Sequence, residues 1–320
     1  MVQFDAMSDT LTTEKAAVTG GAGFIGSHLA DRLIELGYDV TVLDDLSTGR
    51  AENIAHLEGH PRFRFVQGSI LDRDLLKSLF EGVTYVFHEA AIPSVPRSVK
   101  DPEATHEANA TGTLRVLVAA RDAHVKKLVF ASSCAVYGDS SELPLTETAS
   151  PRPLSPYAVS KLTGEAYCSV FAKVYGLPTV ALRYFNVYGP RQNPDSEYAA
   201  VIPRFIRAAR LGEPLTIYGD GQQTRDFTYV ADVVEANVFS ATHEFTGVYN
   251  VGRGDTITIS ELANIVRLVT GSQSPVVNLT ARAGEIYASQ ADSSRLTRAG
   301  YVLRTTLPEG VGQTVAALQS

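Results

Sequence analysis

A tyrosine and a lysine one helical turn apart, Tyr157 and Lys161, form the pair in this sequence best suited to chemistry. Positions i and i+4 share one face of a helix, and Pro156 suits a first helical turn. A phenol of pKa about 10 is a weak base at neutral pH, but nearby positive charge favours the phenolate. Tyr157 could then take a proton from a substrate hydroxyl. The alternative is a solvated helix face with an unrelated tyrosine and lysine.

A serine at the end of a predicted strand is the natural partner of this pair. Residues 127–133 are predicted as a strand that closes on two hydroxyls, Ser132 and Ser133. In an open α/β sheet, ligands lie beyond the carboxyl ends of the strands. Ser133 is therefore expected to hydrogen-bond the same substrate oxygen as Tyr157.

A glycine-rich turn follows the first predicted strand and precedes the first predicted helix. Its glycines, Gly20, Gly23 and Gly26, allow a tight turn and close approach of a pyrophosphate to the helix N-terminus. Asp44 ends the next strand, where a carboxylate would accept from a ribose hydroxyl and repel a 2′-phosphate. The pattern predicts NAD, although Arg50 keeps NADP open and a turn without any ligand is the plain alternative.

Short β-branched runs alternate with helical periodicity and define the elements that position these residues. Strands alternating with helices indicate a parallel sheet covered on both faces, so we predict a doubly wound α/β fold of the Rossmann type. The predicted strands are 15–19, 40–43, 63–67, 84–87, 127–131, 179–184 and 247–251, and the clearest helices start at 24 and cover 103–122, 156–175 and 230–243.

After residue 186 the sequence becomes rich in Gly and Pro, which predicts a second, smaller lobe. The helix at 230–243 and the strand at 247–251 fit a return to the first lobe. We therefore expect interleaved domains: a cofactor domain of residues 1–186 and 228–254, and a substrate lobe of residues 187–227 and 255–320.

Composition excludes several classes of protein. The 320 residues are 44% hydrophobic and 20% charged, as in globular proteins, so a disordered or fibrous chain is not expected. A net charge of −7 without a Lys/Arg run disfavours nucleic acid and anionic membranes as partners. Apolar runs stay short of the roughly 20 residues of a membrane span. The cysteines, Cys134 and Cys168, suggest neither a disulfide framework nor a metal site, and we expect a cytoplasmic protein.

The motifs together resemble the extended short-chain dehydrogenase/reductase family, and within it the nucleotide-sugar 4-epimerases. The resemblance runs from Gly20 to about Leu318. It is carried by TGGAGFIG at 19–26, ASSCAVYG at 131–138, SPYAVSK at 155–161, RYFNVYGPR at 183–191 and GDGQQTRDF at 219–227. AAIPSVPRSV at 90–99, RQNP at 191–194 and AVIPRFI at 200–206 are most similar to members acting on UDP-N-acetylglucosamine and its galacto epimer.

The resemblance implies roles for individual residues. Ser133, Tyr157 and Lys161 match the catalytic positions, with Lys161 also holding the nicotinamide ribose. The expected cofactor contacts are Gly20, Gly23, Phe24, Ile25, Gly26, Asp44, Asp45, Ser47, Thr48, Gly49, Ser69, Ile70, Glu89, Ala90, Ala91, Asn109, Ala131, Ser132, Tyr157, Lys161 and Tyr184.

It also implies a nucleotide-sugar site. Arg225 and Arg282 match two arginines that hold the diphosphate, although ordinary surface arginines remain the alternative, and Glu285 matches an acid that meets the uridine ribose. A small residue at Ser289 would admit an acetamido group where a tyrosine would exclude it, unless Ser289 is only a loop residue. The expected substrate contacts are Ser133, Tyr157, Asn186, Val201, Thr216, Tyr218, Arg225, Arg282, Glu285 and Ser289.

Two departures from the family pattern bear on function. Ser69 stands where many relatives carry an aspartate for the adenine, and Cys134-Ala135 replaces the acid pair of the dehydratases. We therefore predict a UDP-sugar 4-epimerase that acts preferentially on UDP-N-acetylglucosamine/galactosamine and also on UDP-glucose/galactose. A nucleotide-sugar dehydratase, a uronate epimerase and a non-enzymatic NAD-binding regulator are the alternatives. The family also implies a homodimer through helices 103–122 and 156–175. Apolar residues there fit such an interface, although core packing explains them equally well; they are Leu114, Val118, Val170 and Val174.

Overall fold

The protein is described by a computed structural model that covers residues 14–193, 200–281 and 287–318. In chain order the strands are β1 (Lys15–Thr19), β2 (Asp39–Asp44), β3 (Phe63–Gln67), β4 (Tyr85–His88), β5 (Lys127–Ser133), β6 (Thr179–Tyr184), β7 (Val187–Tyr188), β8 (Leu215–Tyr218), β9 (Thr224–Asp226), β10 (Thr228–Tyr229), β11 (Gly247–Val251), β12 (Thr256–Thr258) and β13 (Val276–Leu279). The helices are α1 (Phe24–Glu35), α2 (Arg73–Leu79), α3 (Val95–Lys100), α4 (Pro102–His106), α5 (Gly112–Asp122), α6 (Pro156–Tyr175), α7 (Val201–Leu211), α8 (Val230–Thr242), α9 (Ile259–Thr270), α10 (Ser294–Arg298) and α11 (Leu307–Ala317).

The centre of the fold is a seven-stranded sheet in the order β11-β6-β5-β4-β1-β2-β3. Neighbouring strands pair in parallel; Val18 of β1 lies opposite Val42 of β2 on one side and Phe87 of β4 on the other. Chain order reverses between β1 and β4, which is where ligands bind in sheets of this kind. The predicted doubly wound parallel sheet is confirmed.

Helices cover both faces of the sheet. On one face Leu29 and Leu33 of α1 pack in a core with Val233 of α8, and all three are fully buried. On the other face a second core joins Leu117 of α5 with Phe171 of α6. Each fully buried side chain of this size contributes about 1.5–3 kcal/mol. Together the two cores stabilise the central sheet, whose carboxyl edge carries the residues predicted to be catalytic.

The helix predicted over residues 103–122 is not continuous, which corrects the prediction. A π-helical turn, Glu107–Thr111, separates α4 from α5. Within it Asn109 is buried; its Oδ1 accepts from the Ile92 N–H at 2.8 Å and its Nδ2 donates to the Ser160 hydroxyl at 3.0 Å. These bonds satisfy the Asn109 side chain and hold the loop after β4 in place. π-Helical turns of this kind are frequent at functional sites.

The second lobe is built from short elements around α7 and α9. Strand pairs β7–β10, β9–β12 and β8–β13 are each two-stranded. Strand β11 follows the first part of the second lobe in the chain but pairs in parallel with β6 of the central sheet. The residue boundaries of the two lobes stay a prediction. Among the described helices, none is both long and apolar enough to cross a membrane.

Candidate active site

The three predicted catalytic residues meet at the carboxyl edge of the sheet. Ser133 is the last residue of β5, and Tyr157 is the second residue of α6. The Ser155 hydroxyl caps α6 by accepting from the Ala158 N–H at 3.2 Å, and Pro156 follows at the first position of the helix. The capped start aims Tyr157 back at the strand end, where the Ser133 hydroxyl hydrogen-bonds to its phenol oxygen.

Lys161 lies behind this pair, one turn further along α6. It is only 4% exposed, and its Nζ donates to the Ala131 carbonyl of β5 at 2.8 Å. Nζ is 5.9 Å from the centroid of the Tyr157 ring. The tyrosine and lysine therefore do not form a solvated helix face; they flank the strand end that carries Ser133.

Burial has the largest effect on the acidity of Tyr157. It raises the pKa of the phenol to about 12, and the hydrogen bond from Ser133 offsets only part of this effect. Loss of hydration disfavours the charged form of a buried phenol. That Lys161 and the nicotinamide together favour the phenolate stays a prediction.

The glycine turn is packed too tightly for any side chain. Gly20 has φ +73°, and a Cβ there would come within 2.6 Å of the Ala90 backbone. A Cβ on Gly26 would lie 2.2 Å from the Gly20 carbonyl oxygen, and Gly23 precedes α1 without a side-chain cap. The N-terminus of α1 thus faces a backbone cradle with its first-turn N–H groups available to an anion, as in pyrophosphate sites.

Asp44 ends β2 directly beside this cradle. Its carboxylate accepts from the Ala22 N–H at 3.0 Å and the Leu46 N–H at 2.8 Å, and burial raises its pKa. A Cβ on Gly49 would reach within 2.7 Å of Asp44 Oδ1, so a larger residue there would have to displace the carboxylate. Together with the cradle, this carboxylate fits the pyrophosphate and ribose of NAD.

The other expected cofactor residues fall into three places. Phe24 and Ile25 open α1, Asp45, Ser47 and Thr48 lie exposed after β2, and Ser69 and Ile70 follow β3. The Ser69 hydroxyl accepts from the Leu71 N–H at 3.2 Å, so this side chain shapes its own turn where relatives place an aspartate.

Residues after β4 and β5 complete the cofactor edge. Ala90 abuts Gly20, with Ala91 next in the chain, and the preceding Glu89 accepts from the Tyr184 hydroxyl at 2.8 Å. Ser132 points the other way from Ser133 and donates to buried Glu165. Ser132 is thus positioned to support β5 from behind, while Asn109 supports the loop after β4.

A cavity of about 240 Å³ in the second lobe is lined by five of the ten predicted substrate residues. Asn186, Val201, Thr216, Tyr218 and Arg225 all line it. The cavity reaches the catalytic edge through Asn186, whose backbone N–H donates to the thiol of Cys134, the residue after Ser133. The sequence therefore predicted a set of residues that the fold brings to one place.

Further lining residues were missed at the sequence level. Arg204 lines the cavity with its guanidinium carbon 5.6 Å from the centroid of the Tyr218 ring, and Gln223 lines it from the loop before β9. Arg204 lies three residues after Val201 on α7, and such residues share a helix face. That spacing was the signal that could have identified Arg204.

Ser289 lies at the junction between cavity and catalytic edge. It is 8% exposed, and its hydroxyl accepts from Asn186 Nδ2 at 3.3 Å. Asn186 also donates to the Asp226 carbonyl at 2.8 Å and has φ +32°, an uncommon backbone for a residue other than glycine. Arg282 and Glu285 lie outside the described residues.

Cys134 occupies the position where dehydratases carry an acid. Burial raises the pKa of its thiol to about 11, so it remains protonated and is a poor proton donor at neutral pH. In the described part of the chain, no group of three or more His, Cys, Asp or Glu side chains is arranged to hold a metal ion.

Comparison with known proteins supports the same assignment. Residues 16–252 match the NAD dependent epimerase/dehydratase family. The chain is 40% identical over 300 residues to a putative UDP-glucose 4-epimerase of Methanocaldococcus jannaschii, covering 93% of this chain and 96% of the relative.

Two solved structures are similar over almost the whole chain. One is a UDP-N-acetylglucosamine 4-epimerase from Methanobrevibacter ruminantium in complex with UDP-N-acetylmuramic acid, with TM-score 0.93, 41% identity, and coverage of 96% of this chain and 99% of that one. The other is a Thermus thermophilus UDP-glucose 4-epimerase in complex with NAD, with TM-score 0.87, 38% identity, and coverage of 96% and 99%. The expected enzyme class and the cofactor NAD are confirmed: the chain belongs to the NAD dependent epimerase/dehydratase family.

Proposed function

We propose that the protein interconverts UDP-hexoses at carbon 4, with Tyr157 as the acid/base and Ser133 and Lys161 as its catalytic partners. One observation carries the proposal: the hydrogen-bonded Ser133–Tyr157 pair is connected through Asn186 to a cavity that Arg225 lines. A guanidinium suits a diphosphate, and a chain of net charge −7 needs such local cations to capture one.

The chemistry divides between cofactor and side chains. Bound NAD accepts a hydride from carbon 4 and later returns it to the other face of the sugar. Tyr157 takes the proton from the hydroxyl on carbon 4 and gives it back, while Ser133 holds the same oxygen. Because burial raises the pKa of the phenol, Tyr157 needs the positive charge of Lys161 and of the cofactor to act as a base.

Epimerisation also requires that the uridine diphosphate be held firmly and the hexose loosely. We assign the firm grip to the cavity residues Thr216, Tyr218 and Arg225, with Arg282 and Glu285 as expected additions from the sequence. Binding energy from these remote groups can then be used at the reacting carbon. The inert thiol of Cys134 disfavours water elimination and with it the dehydratase alternative.

For the sugar, we propose UDP-N-acetylglucosamine/galactosamine as the preferred pair, with UDP-glucose/galactose accepted as well. The small Ser289 side chain beside Asn186 supports this preference, since close-packed walls do not yield space for an acetamido group. A similar structure holding a UDP-N-acetylated sugar points in the same direction.

We further propose a cytoplasmic homodimer that pairs α5 and α6 with their symmetry mates. Val170 and Val174 of α6 are 46% and 67% exposed, whereas Leu114 and Val118 of α5 already pack partly against the core. Exposed valines on one face of a long helix suit an interface.

Product analysis tests the proposal. The purified protein is incubated separately with UDP-N-acetylglucosamine and UDP-glucose, and the products are analysed by NMR and mass spectrometry. An isomer of equal mass, inverted at carbon 4 and formed faster from the acetylated sugar, is the expected result. A product lighter by one water would favour a dehydratase, and no conversion of any UDP- or dTDP-sugar with NAD bound would favour a regulatory protein.

A further inference from the structure

His88, the last residue of β4, is a fully buried histidine that the proposed chemistry does not use. It lies beside Thr19, the last residue of β1, in the register of the two parallel strands. The chain order of the sheet reverses between these strands, and the glycine turn begins at the residue after Thr19. A side chain at this place can therefore influence how the cofactor cradle is held.

Both ring nitrogens of His88 have a hydroxyl partner. Nδ1 lies 2.7 Å from Thr19 Oγ1, and Nε2 lies 2.9 Å from Thr113 Oγ1 on α5. The three side chains are at most 1% exposed, so water cannot take the place of either hydroxyl. The ring thus connects the end of β1 to α5.

The Thr113 hydroxyl decides which ring nitrogen carries the proton. It donates to the Asn109 carbonyl, which can only accept, and a hydroxyl has a single proton to give. Towards His88 the Thr113 oxygen must therefore accept, so Nε2 is the protonated nitrogen. Burial lowers the pKa of His88 to about 3, and the charge of Lys161 acts in the same direction. The ring is thus neutral, and its Nδ1 accepts from the Thr19 hydroxyl.

The network continues from Asn109 to the helix that carries Tyr157. Asn109 Nδ2 donates to Ser160 Oγ at 3.0 Å, and the Ser160 hydroxyl donates to the Tyr157 carbonyl at 2.8 Å. Asn109 also binds both backbone groups of Ile92 in the loop after β4, at 2.8 and 3.2 Å. Neither Asn109 nor Ser160 is more than 2% exposed. Buried hydrogen bonds therefore join the end of β1, the π-helical turn and the first turns of α6.

We propose that His88 is a positioning residue, whose Nε2–H tautomer joins the end of β1 to the π-helical turn and, through Asn109 and Ser160, to the helix bearing Tyr157. The first of these segments leads into the glycine turn and the last carries the acid/base, so the network fixes the position of the cofactor cradle relative to Tyr157. The inference rests on the proposed function only for the role of Tyr157. The hydrogen bonds and the tautomer are properties of the folded chain.

Thr113 offers a substitution that breaks the network with little change of shape. Thr113→Val replaces the hydroxyl by a methyl group, and Thr113→Ser keeps the hydroxyl. Thr242 on α8 is the matched control: this exposed threonine also donates to the carbonyl four residues earlier, and its hydroxyl lies 3.1 Å from a ring nitrogen of His243. Thr242→Val therefore removes the same kinds of bond at a place outside the network.

Ring NMR of the NAD-loaded protein labelled with ¹⁵N-histidine measures the tautomer. The chain has seven histidines, and through-bond correlation to the backbone identifies the ring of His88. We expect the wild type to hold its proton on Nε2. In Thr113→Val the proton should move, at least in part, to Nδ1, where the Thr19 oxygen can accept it. Thr113→Ser and Thr242→Val should keep the wild-type tautomer. A proton on Nδ1 in the wild type would overturn the proposal.

NAD release and steady-state kinetics test the positioning role. Thr113→Val should exchange bound NAD for labelled NAD about ten- to a hundredfold faster, because the substitution leaves a buried hydrogen-bond donor unpaired. Its kcat should fall, while KM for the UDP-sugar should stay near the wild-type value because Thr113 does not line the second-lobe cavity. Thr113→Ser and Thr242→Val should behave as wild type. Wild-type NAD exchange and kcat in Thr113→Val would refute the positioning role.

Ser160→Ala keeps the test decisive if Thr113→Val does not fold. It removes the link from Asn109 to α6 and leaves His88 untouched, so the tautomer should be unchanged and kcat should fall by about three- to tenfold. An unchanged kcat would refute the connection to Tyr157. Since the tautomer and NAD exchange need no substrate, both results stand if the sugar assignment fails, and their failure would leave the product analysis intact.

Discussion

At the scale of single residues, the site works by removing water from groups that must change charge. Burial raises the pKa of Tyr157 to about 12. It lowers the pKa of Lys161, which is only 4% exposed, to about 8. A buried phenol with a raised pKa acts as a base only when positive charges lie close to it. Proton transfer is therefore linked to binding of the cofactor, whose nicotinamide ring is positively charged.

Tyr157→Phe removes the proton-carrying group and little else. Turnover should fall by about 10²- to 10⁴-fold, the usual contribution of a general acid/base, with the NAD content unchanged. Initial rates measure turnover, and the cofactor released on denaturation measures the NAD content. Tyr167→Phe, ten residues further along α6, is the matched control and should keep full activity. A near-normal rate in Tyr157→Phe would mean that another group moves the proton.

Ser289→Tyr tests the space beside Asn186. The larger side chain should reduce the rate with UDP-N-acetylglucosamine by about ten- to a hundredfold and leave UDP-glucose nearly unaffected, because only the acetylated sugar needs that volume. Steady-state kinetics on both substrates measure the ratio. Ser294→Tyr places the same ring at an exposed position at the start of α10 and should not change it. An equal loss on both sugars would count against Ser289 as a specificity residue.

At the scale of elements, strand ends and helix starts define the geometry. The β1–α1 turn, the end of β5 and the start of α6 each depend on one local feature: glycine crowding, a terminal serine and a capped helix. Behind β5, Glu165 of α6 joins Arg183 of β6 through bonds of 2.8 and 2.7 Å and accepts from Ser132. This buried network ties the helix bearing Tyr157 to the two strands beneath it.

Gly20→Ala should abolish NAD binding and destabilise the fold, because its Cβ would lie 2.6 Å from the Ala90 backbone. Gly59→Ala is the matched control: it has a similar φ of +80° but open space around its Cβ. The control should lose only the about 1–2 kcal/mol of a left-handed residue and retain the cofactor. Urea unfolding measures the free energy of unfolding of the two variants, and the cofactor content measures their NAD binding. Equal losses would show that backbone strain, not crowding, governs Gly20.

Glu165→Gln should cost about 3–5 kcal/mol of unfolding free energy, because it leaves the Arg183 charge buried without its partner. Both partners are about 5% exposed. Glu35→Gln breaks an ion pair with Arg32 in which Glu35 is 65% exposed, and should change stability by less than about 1 kcal/mol. Urea denaturation of both variants provides the comparison. Similar costs for the two substitutions would show that the buried pair has no special role in α6 packing.

At the scale of the whole molecule, the first lobe supplies the cofactor edge and the second supplies the cavity. Asp226 at the end of β9 holds them in register, accepting from the N–H groups of Arg253, Gly254 and Ala291 at 2.9–3.0 Å. Burial raises the pKa of this carboxyl to about 6. Two of its backbone partners, Arg253 and Gly254, follow β11 of the central sheet, and the third, Ala291, precedes α10, so Asp226 joins the central sheet to the second lobe.

The sequence predicts the central sheet well because its strands are runs of four to seven residues rich in β-branched and apolar side chains, buried except in the edge strand β3. Strands of two to four residues in the second lobe, such as Val187–Tyr188, carry too little pattern to be recognised. The π-helical turn at Asn109 was also missed, because one added residue barely disturbs helical periodicity.

For the site, local motifs predicted the glycine turn, Ser133, Tyr157 and Lys161. The hydrogen bond from the Tyr184 hydroxyl to Glu89 was not predictable, since 95 residues separate the two in the chain and only the fold brings them together. Arg204 had a usable signal in its spacing from Val201.

The central claim is that hydrogen leaves carbon 4 as a hydride and returns to the same carbon. UDP-N-acetylglucosamine carrying deuterium at carbon 4 tests it most directly, with the product followed by NMR in ordinary water. The account predicts a galacto product that retains deuterium at carbon 4, because the hydride never exchanges with solvent. A product with solvent hydrogen at that position would contradict it.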